Sequence, residues 1–155
     1  MLTDVLGRGR VPSPIRGHVA IYLGSDHGWE LVAESDNLFV NVGYQQIALF
    51  LAGVSTPRPA YMAVGTAASP TIAATDTALG TELSRKAISS GGVIAGYTVR
   101  LAGFWLPAEA QGTITEAGLF VSASGPPMLA RVAISVTKGN QPMNVVWQLQ
   151  LPTAG

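Results

Sequence analysis

The sequence predicts a mainly β chain: an antiparallel β-sandwich or meander with one short α-helix and an extended N-terminal arm. Three observations carry this reading. In the C-terminal half, apolar residues recur at every second position across consecutive segments joined by short Gly, Pro, Ser and Asn turns. Period two is the mark of a strand, and short turns join antiparallel neighbours. Only Gly43 to Leu51 sets apolar residues at helical spacing, since Tyr44, Ile47, Ala48 and Leu51 fall at i, i+3, i+4 and i+7. Near the start, Pro12 and Pro14 exclude helix and favour extended backbone. The 155 residues divide into an arm, 1–16, and a single β domain, 17–155, long enough to bury a core.

In the arm, Leu2, Val5, Leu6 and Ile15 are the expected apolar anchors on a neighbour, and Arg8, Arg10 and Arg16 the polar contacts. The plainer alternative is a frayed terminus. His18 to Leu23 and Trp29 to Glu34 form a hairpin about a turn at Gly24 to Gly28, and Asn37 to Val40 is a short extended piece. The helix follows, with Gly53 as its stop and Pro57 and Pro59 barring continuation. Tyr61 to Val64 is a short strand leading into a loop rich in Ala, Ser, Thr and Pro. A turn at Thr75 to Gly80 comes next, where Asp76 can accept backbone N–H groups. Gly65 and Gly80 suit positions of positive φ, and Glu82 to Ile88 is extended again. Val93, Ala95, Tyr97, Val99, Leu101 and Trp105 then alternate, with Gly103 marking a bulge. Thr113 to Val121, Met128 to Thr137 and Met143 to Leu151 complete the set. Ile94, Phe104, Leu129 and Val146, on the other side of their strands, are apolar too, so both faces of parts of the sheet are expected to be covered.

Composition narrows the function classes. Charged residues make up 12% of the chain, against roughly 25% in average soluble domains. The hydrophobic fraction is 48% and the mean hydropathy +0.34. No apolar run approaches the roughly 18 residues of a membrane helix, so no membrane partner is expected. The apolar excess is expected to be covered by other subunits. Nine basic and nine acidic residues give a net charge of zero, which argues against direct nucleic-acid binding. The absence of cysteine excludes disulfides and thiolate metal sites. The N-terminus has no continuous apolar stretch of the kind a secretory signal needs.

Chemistry is sparse. His18 and His27 are the only histidines, and no metalloprotease, P-loop, nucleophile-elbow or dinucleotide motif is present. Ser135-Val136-Thr137-Lys138 matches S-x-x-K, but in a strand Ser and Lys project to opposite faces. Asp26, His27, Glu30, Glu34 and Asp36 are the densest possible metal ligands, yet they straddle a turn and a strand, as a solvated hairpin tip does. No catalytic, metal or cofactor residue is assigned, and no enzymatic role is expected. Glu82, Arg85, Glu116 and Arg131 are embedded in apolar strands. An isolated buried charge is costly, so these four are expected to pair across strands or across a subunit interface. Trp29, Trp105 and Trp147 are assigned to the core, with an interface as the alternative.

One series of motifs suggests a family. It runs through Ala60-Tyr61-Met62-Ala63-Val64-Gly65-Thr66, Thr75-Asp76-Thr77-Ala78-Leu79-Gly80-Thr81-Glu82 and Ile114-Thr115-Glu116-Ala117-Gly118-Leu119-Phe120. It continues through Met128-Leu129-Ala130-Arg131 and Val145-Val146-Trp147. In order and spacing it resembles the structural proteins of tailed bacteriophages: capsid decoration (cement) proteins, or tail-fibre and baseplate-associated proteins. The resemblance covers roughly residues 37–151, the scale of one domain. It implies a virion protein on the outer capsid surface, present in the host cytoplasm during assembly. It also implies a homotrimer that binds the major capsid protein and stabilises the shell against internal DNA pressure. The alternative it implies is a tail-fibre or baseplate adaptor.

Overall fold

The computed structural model describes residues 14–153. Nine strands and one helix follow in the order β1 (Arg16–Ser25), β2 (Gly28–Phe39), α1 (Asn41–Leu51), β3 (Tyr61–Gly65) and β4 (Glu82–Ala87). Then come β5 (Ser90–Ala95), β6 (Thr98–Trp105), β7 (Gly112–Phe120), β8 (Met128–Lys138) and β9 (Met143–Gln150). The expected mainly β, antiparallel class with a single short helix is what the described residues show.

All nine strands belong to one sheet, in the order β4-β3-β7-β8-β2-β1-β9-β6-β5. Its two outermost strands, β4 and β5, are consecutive in the chain and separated only by Ile88 and Ser89. A flat sheet cannot place its opposite ends two residues apart, so the sheet curls until β4 and β5 lie close together. The half β2-β1-β9-β6-β5 then faces the half β4-β3-β7-β8 across the core. Trp105 Nε1, on β6, donates to Ser84 Oγ of β4 at 2.9 Å, closing the two halves. The corner between them is the short β2–β8 pairing, Leu38 with Arg131 and Phe39 with Ala130.

The alternation in the sequence maps onto the inner face. Val19, Trp147 and Leu101 stand in register on β1, β9 and β6, and Leu23, Met143 and Trp105 form a second inner row. Met62, Val64, Ile114, Ala117, Leu119, Val132, Ile134 and Val136 meet them from the other half. Gly103 makes no bulge, because its pairing with Val145 is regular. A Cβ there would stand 3.1 Å from both Met62 Sδ and the Trp105 ring, so close packing of the halves is what calls for glycine.

Other expectations are corrected at turns. The alternating series from Val93 to Trp105 is not one strand, since the chain reverses at Gly96 and Tyr97 to pair β5 with β6. Asn37 to Phe39 is not a separate piece but the end of β2, whereas Val40 precedes the helix. β7 and β8 are neighbours as their sequence order suggests, but β9 lies between β1 and β6. Period two identifies a strand; it does not say which partner takes it.

The helix ends at Gly53, whose φ of 72° is one a side chain opposes. Its buried face is not the expected one. Gly43 is the buried residue and Ile47 packs on the core, whereas Tyr44 is exposed and Leu51 is 78% exposed. A lone helix over one corner of the sheet buries only the strip above Leu129, so half of an amphipathic pattern is left outside. Tyr44 is used locally: its hydroxyl accepts from Ile15 N at 2.9 Å, and its ring meets Phe39 edge-on at 4.9 Å.

Trp147 is fully buried and its Nε1 has no hydrogen-bond partner among the described residues. Its contribution is therefore packing alone. Trp147→Ala is expected to cost about 3–5 kcal/mol of unfolding free energy, read from urea denaturation. Trp147→Phe should cost less than half as much, since it surrenders no hydrogen bond. Equal losses for the two would contradict a purely apolar role.

Candidate assembly surface

Asp76, Glu116 and Arg131, three of the residues singled out in the sequence, form one buried arrangement with the loop before β4. Glu116, Gly118 and Arg131 lie on the outer face of β7 and β8, where an uncovered sheet would meet water. The loop 66–81 covers them. Glu116, with no exposure, accepts from Gly80 N at 2.9 Å, Thr81 N at 2.8 Å and Ala67 N at 3.3 Å. Arg131 donates to it through Nη2 at 2.8 Å and Nε at 3.2 Å, and through Nη1 to Asp76 Oδ2 at 2.9 Å. Asp76 in turn accepts from Ala73 N at 2.9 Å, holding the turn it was expected to hold. Beneath the loop, Leu79 joins Val40, Ala63, Phe120 and Met128 in a second small core.

Gly65 and Gly80 serve this carboxylate, and not through positive φ, which neither adopts. A Cβ on Gly65 would stand 2.6 Å from Glu116 Oε2, and one on Gly80 would stand 2.7 Å from Ala67 Cβ. Glu82 and Arg85, whose partners the sequence left open, pair with each other within β4, Nη2 to Oε1 at 2.6 Å. Arg85 further donates to the carbonyls of Ser122 and Gly125 and stacks 3.6 Å over the Phe120 ring, tying the β7–β8 loop to β4. These ion pairs lie within one chain.

Burial raises the Glu116 pKa, but the N–H groups of Thr81 and Gly80 together with Arg131 outweigh it and hold the carboxyl below its ordinary value. Burial also opposes the Arg131 charge, and Asp76 and Glu116 more than restore it.

Lys138, Lys86 and Glu109 form a structural set that the sequence did not signal. Buried Lys138 donates Nζ to the carbonyls of Pro107 at 2.9 Å and Glu109 at 2.6 Å. Burial pushes its ammonium down, and Glu109 partly offsets this. Lys86 bridges the Glu109 carboxylate at 2.8 Å. Ser135 is exposed while Lys138 is buried, so the S-x-x-K run brings no nucleophile to a base.

The arm assignments divide. Leu2, Val5, Leu6, Arg8 and Arg10 lie outside the described residues. Ile15 packs on the core and Arg16 opens β1, paired with Leu38 and Gln150, so neither belongs to an arm.

The surface with unmet apolar area is the outer face of β2, β1, β9 and β6. Leu31, Tyr22, Asn144 and Phe104 stand in register across these strands. Trp29, expected in the core, is 51% exposed and meets Phe104 edge-on at 6.2 Å. The reason is a bulge: Ile21 pairs with Ala33 and Tyr22 with Leu31, which leaves Val32 as an extra residue. One extra residue reverses which face the following side chains take. The hairpin's apolar residues therefore turn outward. Further along the same face, Ala20, Val146 and Ala102 form a low row, and then Asp36, His18, Gln148 and Arg100 form a polar one. The surface grades from apolar to polar along the strands.

The acidic hairpin is not a converging metal site: among the described residues no three potential ligands are grouped to hold an ion. His18 instead reaches Asp36 through Nδ1 at 2.9 Å and Glu34 through Nε2 at 3.0 Å. The Asp36 contact raises the imidazole pKa, burial opposes this and Glu34 adds to it. A second apolar area lies at the helix end, where Phe50, Leu51 and Val54 are exposed.

Glu116→Ala is expected to cost about 3–5 kcal/mol, because Arg131 is left buried with one partner gone. The folded pKa of Glu116 lies below its ordinary 4.5, so its contribution is whole above about that pH and is lost as pH falls through the folded value. Stability measured from pH 7 to pH 2 should accordingly fall more steeply in the unaltered chain than in Glu116→Gln. Parallel acid limbs would show that the carboxylate is not held ionised by these contacts. No protein-family model, no curated protein and no solved structure matches the chain, so the functional reading rests on its sequence motifs and its surface.

Proposed function

We propose that this chain is a virion structural protein, a capsid decoration protein that attaches to the outer phage head as a homo-oligomer and stiffens the shell. The observation that carries the reading is the graded outer face, with Trp29, Leu31 and Phe104 exposed in one patch on a chain with few charges. Side chains of this kind are those that interfaces bury. The series of motifs from Ala60 to Trp147 supplies the kind of assembly, by its resemblance to phage decoration proteins. The number of subunits, three, also comes from that resemblance.

The mechanism is burial in several places at once. Each exposed apolar side chain covered by a neighbour contributes roughly 25 cal/mol per Å² of area removed from water. Contacts that are weak singly become tight when several copies are linked, since the second engagement is intramolecular. Few charged groups must be stripped of water in the process. The chemistry of the surface therefore favours holding over turning over.

Two measurements test this. Quantitative protein analysis of purified particles should find hundreds of copies per virion; a handful per particle would move the protein to the tail, and none would end the virion reading. Trp29→Ser with Leu31→Ser should lower attachment to undecorated heads by roughly tenfold or more and leave the thermal unfolding temperature of the free protein nearly unchanged. Attachment as tight as that of the unaltered chain would remove this face from the interface.

A further inference from the structure

The outer face of β2, β1, β9 and β6 carries its two charge signs on opposite flanks. Glu34 and Asp36 stand on β2, and Arg100 stands in the row of Asp36 on β6, with His18 and Gln148 between them. Asp36 and Arg100 are both exposed. Within one chain they are three strand spacings apart, about 14 Å, too far to meet. Among the described residues Arg100 enters no ion pair, and the two carboxylates share only His18.

A face with acid on one flank and base on the other is complementary to itself turned over. Let a second copy be rotated by a half-turn about an axis that runs along the strands, between β1 and β9, and be laid on the first. Each row then meets its own row reversed. Asp36 faces Arg100 of the second copy, and Arg100 faces Asp36, so the charge contact is made twice. His18 faces Gln148, and at the end of the sheet Arg16 faces Gln150. In the apolar row Leu31 faces Phe104 and Tyr22 faces Asn144. In the low row Ala20 faces Val146, and short side chains there let the sheets approach to the roughly 10 Å of stacked layers. Glu34 faces Ala102, one row from Arg100. In none of these rows do like charges meet.

The direction of the axis matters. A half-turn across the strands, through the low row, would set the charged row of each copy over the apolar row of the other, and a charge buried without a partner is costly. Four strands by four rows cover about 500 Å² on each copy, or about 1,000 Å² in total. That is the lower bound for a specific interface.

We propose that the outer face of β2, β1, β9 and β6 pairs with the same face of a second copy about a two-fold axis along the strands, setting Asp36 against Arg100 on both sides. The contact is isologous, each copy giving the other what it receives. This rests on the assembly reading above and names the contact between copies; in a three-fold assembly it joins a subunit of one trimer to a subunit of the next.

The test is charge exchange, read by sedimentation of the full chain from about 1 μM to 1 mM. Asp36→Arg alone and Arg100→Glu alone each place two like-charge contacts in the pair, and each should weaken self-association by about tenfold or more. Mixed in equal amounts, the two variants should associate within about threefold of the unaltered chain, because the mixed pair has opposite signs at both contacts. The chain carrying both substitutions should do the same with its own copies, since both of its contacts are again of opposite sign. A merely structural effect of either substitution would not be cured by mixing. An unaltered chain that shows no self-association over this range, a single variant that associates as tightly as the unaltered chain, or failure of both the mixture and the double variant to recover overturns the proposal. These readouts are made in solution without particles. Their failure while head attachment persists therefore removes the pairing and leaves the virion reading standing, whereas recovery by mixing for a chain absent from particles would end the virion reading alone.

Discussion

The carboxylate of Glu116 is the contact on which the second half of the sheet depends. Strands β3, β7 and β8 carry apolar residues on both faces, and only one face meets the other half of the curled sheet. The outer face is closed by a loop that has no regular structure of its own. A loop without a ladder must satisfy its backbone in some other way. Glu116 does this by taking three of its N–H groups, and Arg131 fixes the carboxylate and Asp76 together. The ion pair therefore has a structural product: it turns sixteen residues of irregular chain, 66–81, into the lid of a small core. Gly65 and Gly80 are part of the same device, since side chains there would occupy the space the carboxylate and the loop need.

The two halves of the molecule consequently differ in what they show to their surroundings. The β3-β7-β8 half spends its charges internally and covers its outer face with its own loop and helix. Among the described residues the β2-β1-β9-β6 half has no such cover, and it carries both the exposed aromatic patch and the acids that find no arginine or lysine there. Interaction surfaces combine an apolar centre with a polar rim, and the gradient from Leu31 and Phe104 to Asp36 and Arg100 follows that arrangement. This division gives the assembly reading its physical content: one face is finished by the chain, and the other is suited to being finished by something else.

Much of the fold was legible in the sequence because alternation and turn chemistry are local. The strands β7, β8 and β9 fall within a residue or two of their expected spans, and Gly53 stops the helix as its position suggests. The need for Glu82, Arg85, Glu116 and Arg131 to pair was legible from the cost of burying a lone charge. Their partners were not, because loop 66–81 is brought over β7 and β8 by the fold and not by spacing. The exposure of Trp29 was hidden for a different reason. A single bulged residue at Val32 reverses the facing of the hairpin, and neither neighbour of Val32 is a Gly or Pro that would announce it. Lys138 was hidden because its partners are carbonyl oxygens, which every residue carries. The glycines at 65 and 80 were expected at positive φ, which neither adopts, and the reason for them is the space beside them.

The position of β9 bears on how the chain reaches this state. It is made after the eight other strands, yet it sits between β1 and β6 and bonds to both. During synthesis the β1–β2 hairpin leaves the ribosome more than a hundred residues before its central neighbour. The five-stranded half cannot zip up until β9 has been made, and pairing across such separations is slow. Until β9 arrives, Val19, Ile21 and Leu101 have no cover on the side where Trp147 will stand, and the partly formed layer is open to wrong partners. In this molecule the arrival of β9, more than nucleation of any hairpin, sets the moment at which the core can close.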